Sequence, residues 1–329
     1  MLTREICGII SAVNPQGSKM KATRWHLPRG MALAGAASLL AAAFALAVPA
    51  HGDTWQVPSW DLRLSEPGAV EERIGASWCG HAQGMCVTSN ALYFAFRNQI
   101  VKTDWYGRYR GRVVVDRFCG DICAWNGLIY AAIWLKRSSG CVRICAYDAD
   151  TLQLVKSRAI PWSRGAHGIT CLGGTIYLGM GRSAADASGR TNWYGKFDAE
   201  TLEPVGEPFE VDQGVRSAGG TQALATDGTS LYASFYPPDA TNNVPCFVAF
   251  DASFGVTGRH HQNWQQGFDV VPGGTNGAVR FIHCTTANWT GSAERPLRRV
   301  QTAVQFAELK DGVFRDITRH CIFSTPLPR

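Results

Sequence analysis

Gly120-Asp-Ile-Cys-Ala-Trp-Asn-Gly-Leu-Ile-Tyr130 holds a short apolar run, an Asn-Gly turn and a second run ending in tyrosine. That is a β-hairpin signature, because Asn-Gly supplies the positive φ angles of a tight turn between strands. The phrase recurs. Gly84-Met-Cys-Val-Thr-Ser-Asn-Ala-Leu-Tyr93 precedes it, and Gly168-Ile-Thr-Cys-Leu-Gly-Gly-Thr-Ile-Tyr177 follows. Next come Thr221-Gln-Ala-Leu-Ala-Thr-Asp-Gly-Thr-Ser-Leu-Tyr232 and a degraded copy from Gly267 to Phe281. The closing aromatics stand at 93, 130, 177, 232 and 281.

A second phrase lies between the copies. Val142-Arg-Ile-Cys-Ala-Tyr-Asp-Ala-Asp-Thr-Leu152, Trp193-Tyr-Gly-Lys-Phe-Asp-Ala-Glu-Thr-Leu202 and Cys246-Phe-Val-Ala-Phe-Asp-Ala-Ser-Phe254 each end in an Asp-containing turn. Each leads into a further strand, such as 154–160 or 204–211. Thr103-Asp-Trp-Tyr-Gly-Arg108 and Thr191-Asn-Trp-Tyr-Gly-Lys196 read as matching pieces of copies one and three. Four strands in each 40–50-residue repeat is the arithmetic of a propeller blade. The expectation is an all-β, five-bladed β-propeller of four-stranded blades over 81–323, with 324–329 a short tail. Trp55–Leu64 could add a ring-closing strand, and a sixth blade remains open if 51–80 contribute more.

These phrases resemble the propeller repeats of the NHL and quinoprotein-amine-dehydrogenase-like superfamily. That resemblance implies blade construction rather than an activity. A second resemblance is to glutaminyl-peptide cyclotransferase propellers. His81-Ala-Gln83-Gly84-Met85 before Leu92-Tyr93, and Ala166-His167-Gly168-Ile169-Thr170, stand where that family carries its two signature phrases. The glutamate and tryptophan of the later phrase are absent here, so its acid/base group has no counterpart.

Composition excludes several classes. With 46% apolar residues, 18% charged residues and 35 glycines, the chain is neither disordered nor a charged helical bundle. Five basic residues (Arg4, Lys19, Lys21, Arg24, Arg29) and one acid (Glu5) fall in the first 50 positions. Most of the net charge of +6 therefore belongs to that segment. The near-neutral remainder gives no reason to expect a nucleic-acid binder. Gly30–Ala50 lacks charge, follows Lys21, Arg24 and Arg29, and ends in small residues. That is the pattern of a secretory signal peptide cut before His51. Met20 offers a better start for it than Met1. The mature protein is then expected outside the cytoplasm, periplasmic or extracellular, with no membrane span after cleavage.

Ten cysteines remain once Cys7 leaves with the leader. Cys119/Cys123 and Cys141/Cys145 are four apart, about 13 Å along a strand, too far to bond to each other. Cys86, Cys123 and Cys171 read as small buried hydrophobes. Cys79 and Cys119 open similar segments, which leaves one bond between adjacent loops open. With no C-x₂-C pair and no H-E-x-x-H, no metal site or cofactor is expected.

Residues just before each innermost strand ring one mouth of a propeller channel. That position selects His81, Gln83, Asp121, His167, Gln222, Gln266 and Asp269 as ligand-binding candidates. They combine hydrogen-bond donors, acceptors and two imidazoles, suited to a glycan, peptide or protein ligand. The alternative is a propeller enzyme using Asp121 and Asp269 as a carboxylate pair, as a glycoside hydrolase or lyase would. Arg108, Arg110 and Arg112 alternate on one side of a strand, either as an anion grip or as charges protecting an edge. His260-His261 reads as a solvated turn.

Overall fold

The computed structural model describes residues 82–326 apart from 106, 116, 137–140, 163–164, 237–245, 263, 265–266, 272–276 and 288–298. The proposed signal segment and Trp55–Leu64 lie outside the described residues.

Twenty strands form five four-stranded antiparallel sheets, each from a contiguous stretch of chain. Blade one is β1 Gly84–Val87, β2 Leu92–Phe96, β3 Gln99–Thr103 and β4 Tyr109–Val114. Blade two is β5 Phe118–Trp125, β6 Leu128–Lys136, β7 Cys141–Asp148 and β8 Leu154–Ala159. Blade three is β9 Ala166–Leu172, β10 Thr175–Arg182, β11 Thr191–Asp198 and β12 Phe209–Asp212. Blade four is β13 Thr221–Thr226, β14 Ser230–Phe235, β15 Phe247–Asp251 and β16 Val256–His260. Blade five is β17 Phe268–Val271, β18 Val279–Ala287, β19 Arg299–Lys310 and β20 Val313–Pro326. The innermost strands β1, β5, β9, β13 and β17 pack on one another in sequence, and β17 returns to β1. The chain is a closed five-bladed β-propeller.

The inner strands read as unbroken apolar runs because both faces of each blade are buried. Five apolar clusters occupy the five gaps between blades. In blade one, Met85, Phe94 and Phe96 join Ile282 and Phe306 of blade five. Cys86, Tyr93 and Ala95, from the same strands, join Ile122, Ala131 and Cys145 of blade two. Period-two alternation thus sorts residues between two neighbours, not between core and water.

The recurrent phrases have a structural purpose. Asp104, Asp148, Asp198 and Asp251 close the third strand, and each accepts amides of the turn that follows. Asp148 takes Asp150 and Thr151 N–H, and Asp198 takes Glu200 and Thr201 N–H. Asp104 takes Arg108 N–H, and Asp251 takes Ser253 and Gly255 N–H. Such Asx turns let Leu152, Leu202 and Phe254 adopt left-handed φ angles of 59°, 61° and 67°.

Two of the landmark tyrosines clasp the next blade. Tyr93 O–H donates to the Ala149 carbonyl at 2.7 Å, and Lys102 Nζ joins it at 2.9 Å. One blade on, Tyr130 O–H and Lys156 Nζ converge on the Ala199 carbonyl at 3.0 and 2.8 Å. Each ammonium also lies over the ring of its tyrosine, 5.7 Å and 5.9 Å from the centroid. Tyr130→Phe is expected to cost about 1 kcal/mol, since Lys156 still serves the carbonyl. Adding Lys156→Met strands that carbonyl, so the pair should lose more than the two single changes together. Additive losses in thermal unfolding would reject the clasp as a unit.

Two expectations need correction. Thr103–Arg108 and Thr191–Lys196 are not equivalent: Thr103 ends β3 and Gly107 lies in the turn after it, whereas Thr191–Lys196 lies inside β11. The register instead pairs Lys102 with Tyr93 and Lys196 with Tyr177. Cys119 is a free buried thiol, as are Cys86, Cys123 and Cys171, while Cys79 lies outside the described residues. His260 ends β16 and lies half-buried against Phe247 and Phe314, while His261 is exposed. Arg110 and Arg112 are exposed on the outer strand β4, bonded to Asp104 and Gln99 respectively. That fits edge protection.

Candidate functional site

Counting back along each inner strand from the residue paired with the landmark aromatic puts the candidates in tiers. Cys86, Cys123, Thr170, Ala225 and Val270 are those paired residues. Three positions earlier lie Gln83, Gly120, His167, Gln222 and Gly267. Asp121 is one step deeper and Asp269 two. Gln83, His167, Gln222, Asp121 and Asp269 therefore share one end of the channel. His81 and Gln266 lie outside the described residues.

A β-bulge interrupts this tier in three blades. Gly120-Asp121 oppose Ala132 alone, His167-Gly168 oppose Gly179, and Gln222 is an extra residue opposite the Ser234/Phe235 step. A bulge re-aims the side chains on its strand. Asp121 is consequently turned into the middle of the ring and is fully buried. Its Oδ2 accepts the Ile169 amide of blade three at 3.2 Å and the Leu224 amide of blade four at 2.9 Å. The next amide in its own blade, Ile122, also donates to it.

Asp269 does the same on the other side of the ring. Its Oδ2 accepts Val87 N–H of blade one at 2.9 Å, and its Oδ1 accepts Val270 N–H at 2.8 Å. Two carboxyl groups thus gather five amides, one from each blade. The inner strand is the unpaired edge of every sheet, and edge amides left without acceptors inside a protein are costly. The carboxyls supply the missing acceptors.

Burial dominates their acidity. It pushes Asp121 well above the usual carboxylate range, against the pull of its three amides. Burial likewise raises Asp269 to about 7, against its two amides. None of the groups acting on either carboxyl is a cation. Asp269 lies deep in the protein yet keeps some accessible surface, as a group opening on a channel does. Oδ1 of Asp121 is buried with no hydrogen-bond partner. It rests against Gly84, where an added Cβ would fall 2.5 Å from it.

Asp121 is therefore not a mouth carboxylate open to substrate. Gln222 is also buried, at 6% exposure. Gln83 and His167 keep partial exposure. The His167 ring lies 4.9 Å from Trp134 and 5.7 Å, edge-on, from Phe118. Those two aromatics belong to the mouth as well, and nothing in the sequence separates them from core aromatics. His283 stacks on Trp264 at 4.3 Å, and burial lowers its pKa to about 3. Among the described residues no group of three or more metal-ligating side chains occurs.

No protein-family model and no curated protein sequence matches the chain. Solved structures do. Kuenenia stuttgartiensis hydrazine synthase is similar at 17% identity and a TM-score of 0.42, covering 74% of this chain and 67% of that one. Myxococcus xanthus glutaminyl cyclase is similar at 10% identity and 0.44, covering 74% and 94%. BamB from Moraxella catarrhalis is similar at 14% identity and 0.33, covering 73% and 74%. Likenesses at this level carry no function from one chain to another.

Proposed function

We propose that this five-bladed propeller is an exported, non-catalytic binding protein that takes a ligand or protein partner at its channel mouth. The observation that carries this reading is the division of labour at that end of the ring. Three of the four carboxyl oxygens that would serve as acid and base are engaged by backbone amides, and the fourth, Asp121 Oδ1, is buried. Gln83 and His167, one tier out, keep accessible surface beside Trp134 and Phe118. An amide, an imidazole and aromatic edges suit hydrogen-bonding solutes with apolar faces, such as glycans or peptides. The apolar, basic-flanked segment ending before His51 supports export.

Screening the folded protein against immobilised glycans and peptides tests the reading. Gln83→Ala should weaken any captured probe about tenfold, worth about 1.4 kcal/mol, with Tm unchanged within about 2 °C. His167→Ala should weaken it further while also costing stability through lost ring contacts. Binding indifferent to both changes would place the ligand elsewhere.

Asp269 favours one second reading. A carboxyl raised to about 7 that retains some accessible surface has the acidity of a general acid/base. Turnover of a glycoside or peptide substrate, abolished by Asp269→Asn with the fold intact, would establish that reading over binding alone.

A further inference from the structure

The five blades are complete in themselves, each a contiguous four-stranded meander. At the axis the inner strands pack closely backbone to backbone, and the Asp121 and Asp269 carboxyls bond across the blade boundaries. Three of the five carboxyl-to-amide contacts cross between blades: Asp121 to Ile169 and Leu224, and Asp269 to Val87. The fourth carboxyl oxygen, Oδ1 of Asp121, is buried with no donor, against Gly84 of blade one. A buried acceptor of this kind is tolerable as part of a neutral carboxylic acid and costly as part of an anion.

Among the described residues, no cation acts on either carboxyl. Near Asp121 are Cys86 of β1, Cys119 and Cys123 of β5, Asp269 of β17 and Cys284 of β18, while β9 brings the backbone of His167 against the adjoining Gly120. Strand β13 contributes no titratable side chain. The thiols are pushed up by burial and are neutral. Asp269 is near Cys86 and Cys123, and on β18 its partner Ile282 has Arg280 and Cys284 on the same face, while His283 lies on the other face against Trp264. Arg280 bonds Glu308 on its own sheet at 3.3 Å.

We propose that the axis is an acid-set lock: protonated Asp121 and Asp269 hold the five inner strands together, and loss of those protons loosens the ring. A carboxyl whose folded pKa is raised stabilises the fold fully below its unfolded value near 4, and that contribution is lost as pH rises through the folded value. For Asp269 the loss runs from about pH 4 to about 7, and Asp121 extends it in the same direction. His283 and His260 are lowered by burial and act with the opposite sign below pH 6.5. Their effect is common to wild type and Asp variants, so differences between proteins isolate the carboxyls.

Asparagine carries no charge and keeps one acceptor oxygen, which serves both amides on Asp121 Oδ2; at position 269 its NH2 group meets one of the two amides, a cost that is the same at every pH. Thermal unfolding of wild type, Asp121→Asn and Asp269→Asn at pH 5 and pH 8 is the direct test. The variants should gain on wild type by at least about 3 °C between the two pH values, with Asp121→Asn the more stable protein at pH 8. A constant offset at both pH values overturns the proposal. Infrared spectroscopy of wild type decides the matter even where a variant does not fold. A buried protonated carboxyl band should persist at pH 6 and fade on alkalinisation, and its absence at pH 6 also overturns the proposal.

Discussion

Asp121→Ala should lower Tm by about 6–12 °C at pH 6, the largest loss expected from any single side chain at the channel mouth. The change strips acceptors from the amides of Ile169 and Leu224, in two different blades, within a fully buried site. Each stranded buried amide costs about 1–3 kcal/mol, so about 3 kcal/mol or more is at stake. Burial at this site favours the neutral acid, so removing it relieves little charge penalty near neutrality and the acceptor loss dominates. Asp121→Asn at the same pH should retain most of the stability, which separates the need for an acceptor from the need for a charge. An Ala variant melting within 2 °C of wild type would show that water replaces the carboxyl and that the axis is not held from this residue.

Gly267→Ala should be more damaging still, because its neighbours are backbone and cannot turn aside. Gly267 sits at φ 97°, where an L side chain is strained by about 1–3 kcal/mol before any contact is considered. A Cβ there would lie 2.4 Å from Gly84 Cα and 2.5 Å from Met85 N, across the seam where blade five meets blade one. Relief requires moving β17 away from β1, which opens the ring and uncovers the Met85–Ile282 cluster. The expected outcome is loss of soluble folded protein, or a Tm lower by more than about 10 °C. Gly127→Ala is the matched control. It has a positive φ of 74° with nothing within 4 Å of an added Cβ. It should therefore cost only the backbone strain, about 1 kcal/mol. Equal losses at the two glycines would mean that close approach at the seam contributes nothing.

The blade architecture was legible in the residues because it rests on local rules. Asn126-Gly127 turns one hairpin, and Asp148, Asp198 and Asp251 cap turns within four residues of themselves. Such signals need no knowledge of distant chain. Tyr93 and Tyr130 stood out among the landmark aromatics and make the same clasp on the following blade, whereas Tyr232 O–H donates to Asp227 of its own hairpin. The misreading of Thr103–Arg108 against Thr191–Lys196 has the opposite cause. Near-identical letters occupied a turn in one blade and a strand in another, and only pairing with Tyr93 and Tyr177 shows the true register.

The end of the channel where Gln83, Asp121, His167, Gln222 and Asp269 gather also follows from their place before or within the inner strands. Their exposure does not. One-residue bulges at Gly120-Asp121, His167-Gly168 and Gln222 reverse which side chains point inward, and a bulge leaves no mark in a sequence that is apolar on both faces. Asp121 and Asp269 look alike as letters; tertiary structure gives both to the amides of other blades and leaves only Asp269 any accessible surface. Local hydrogen bonding and turn geometry are written in neighbouring residues. Closing a ring is a long-range event: it brings Gly84, Ile169 and Leu224 around one carboxyl, and no short window of sequence contains all of them.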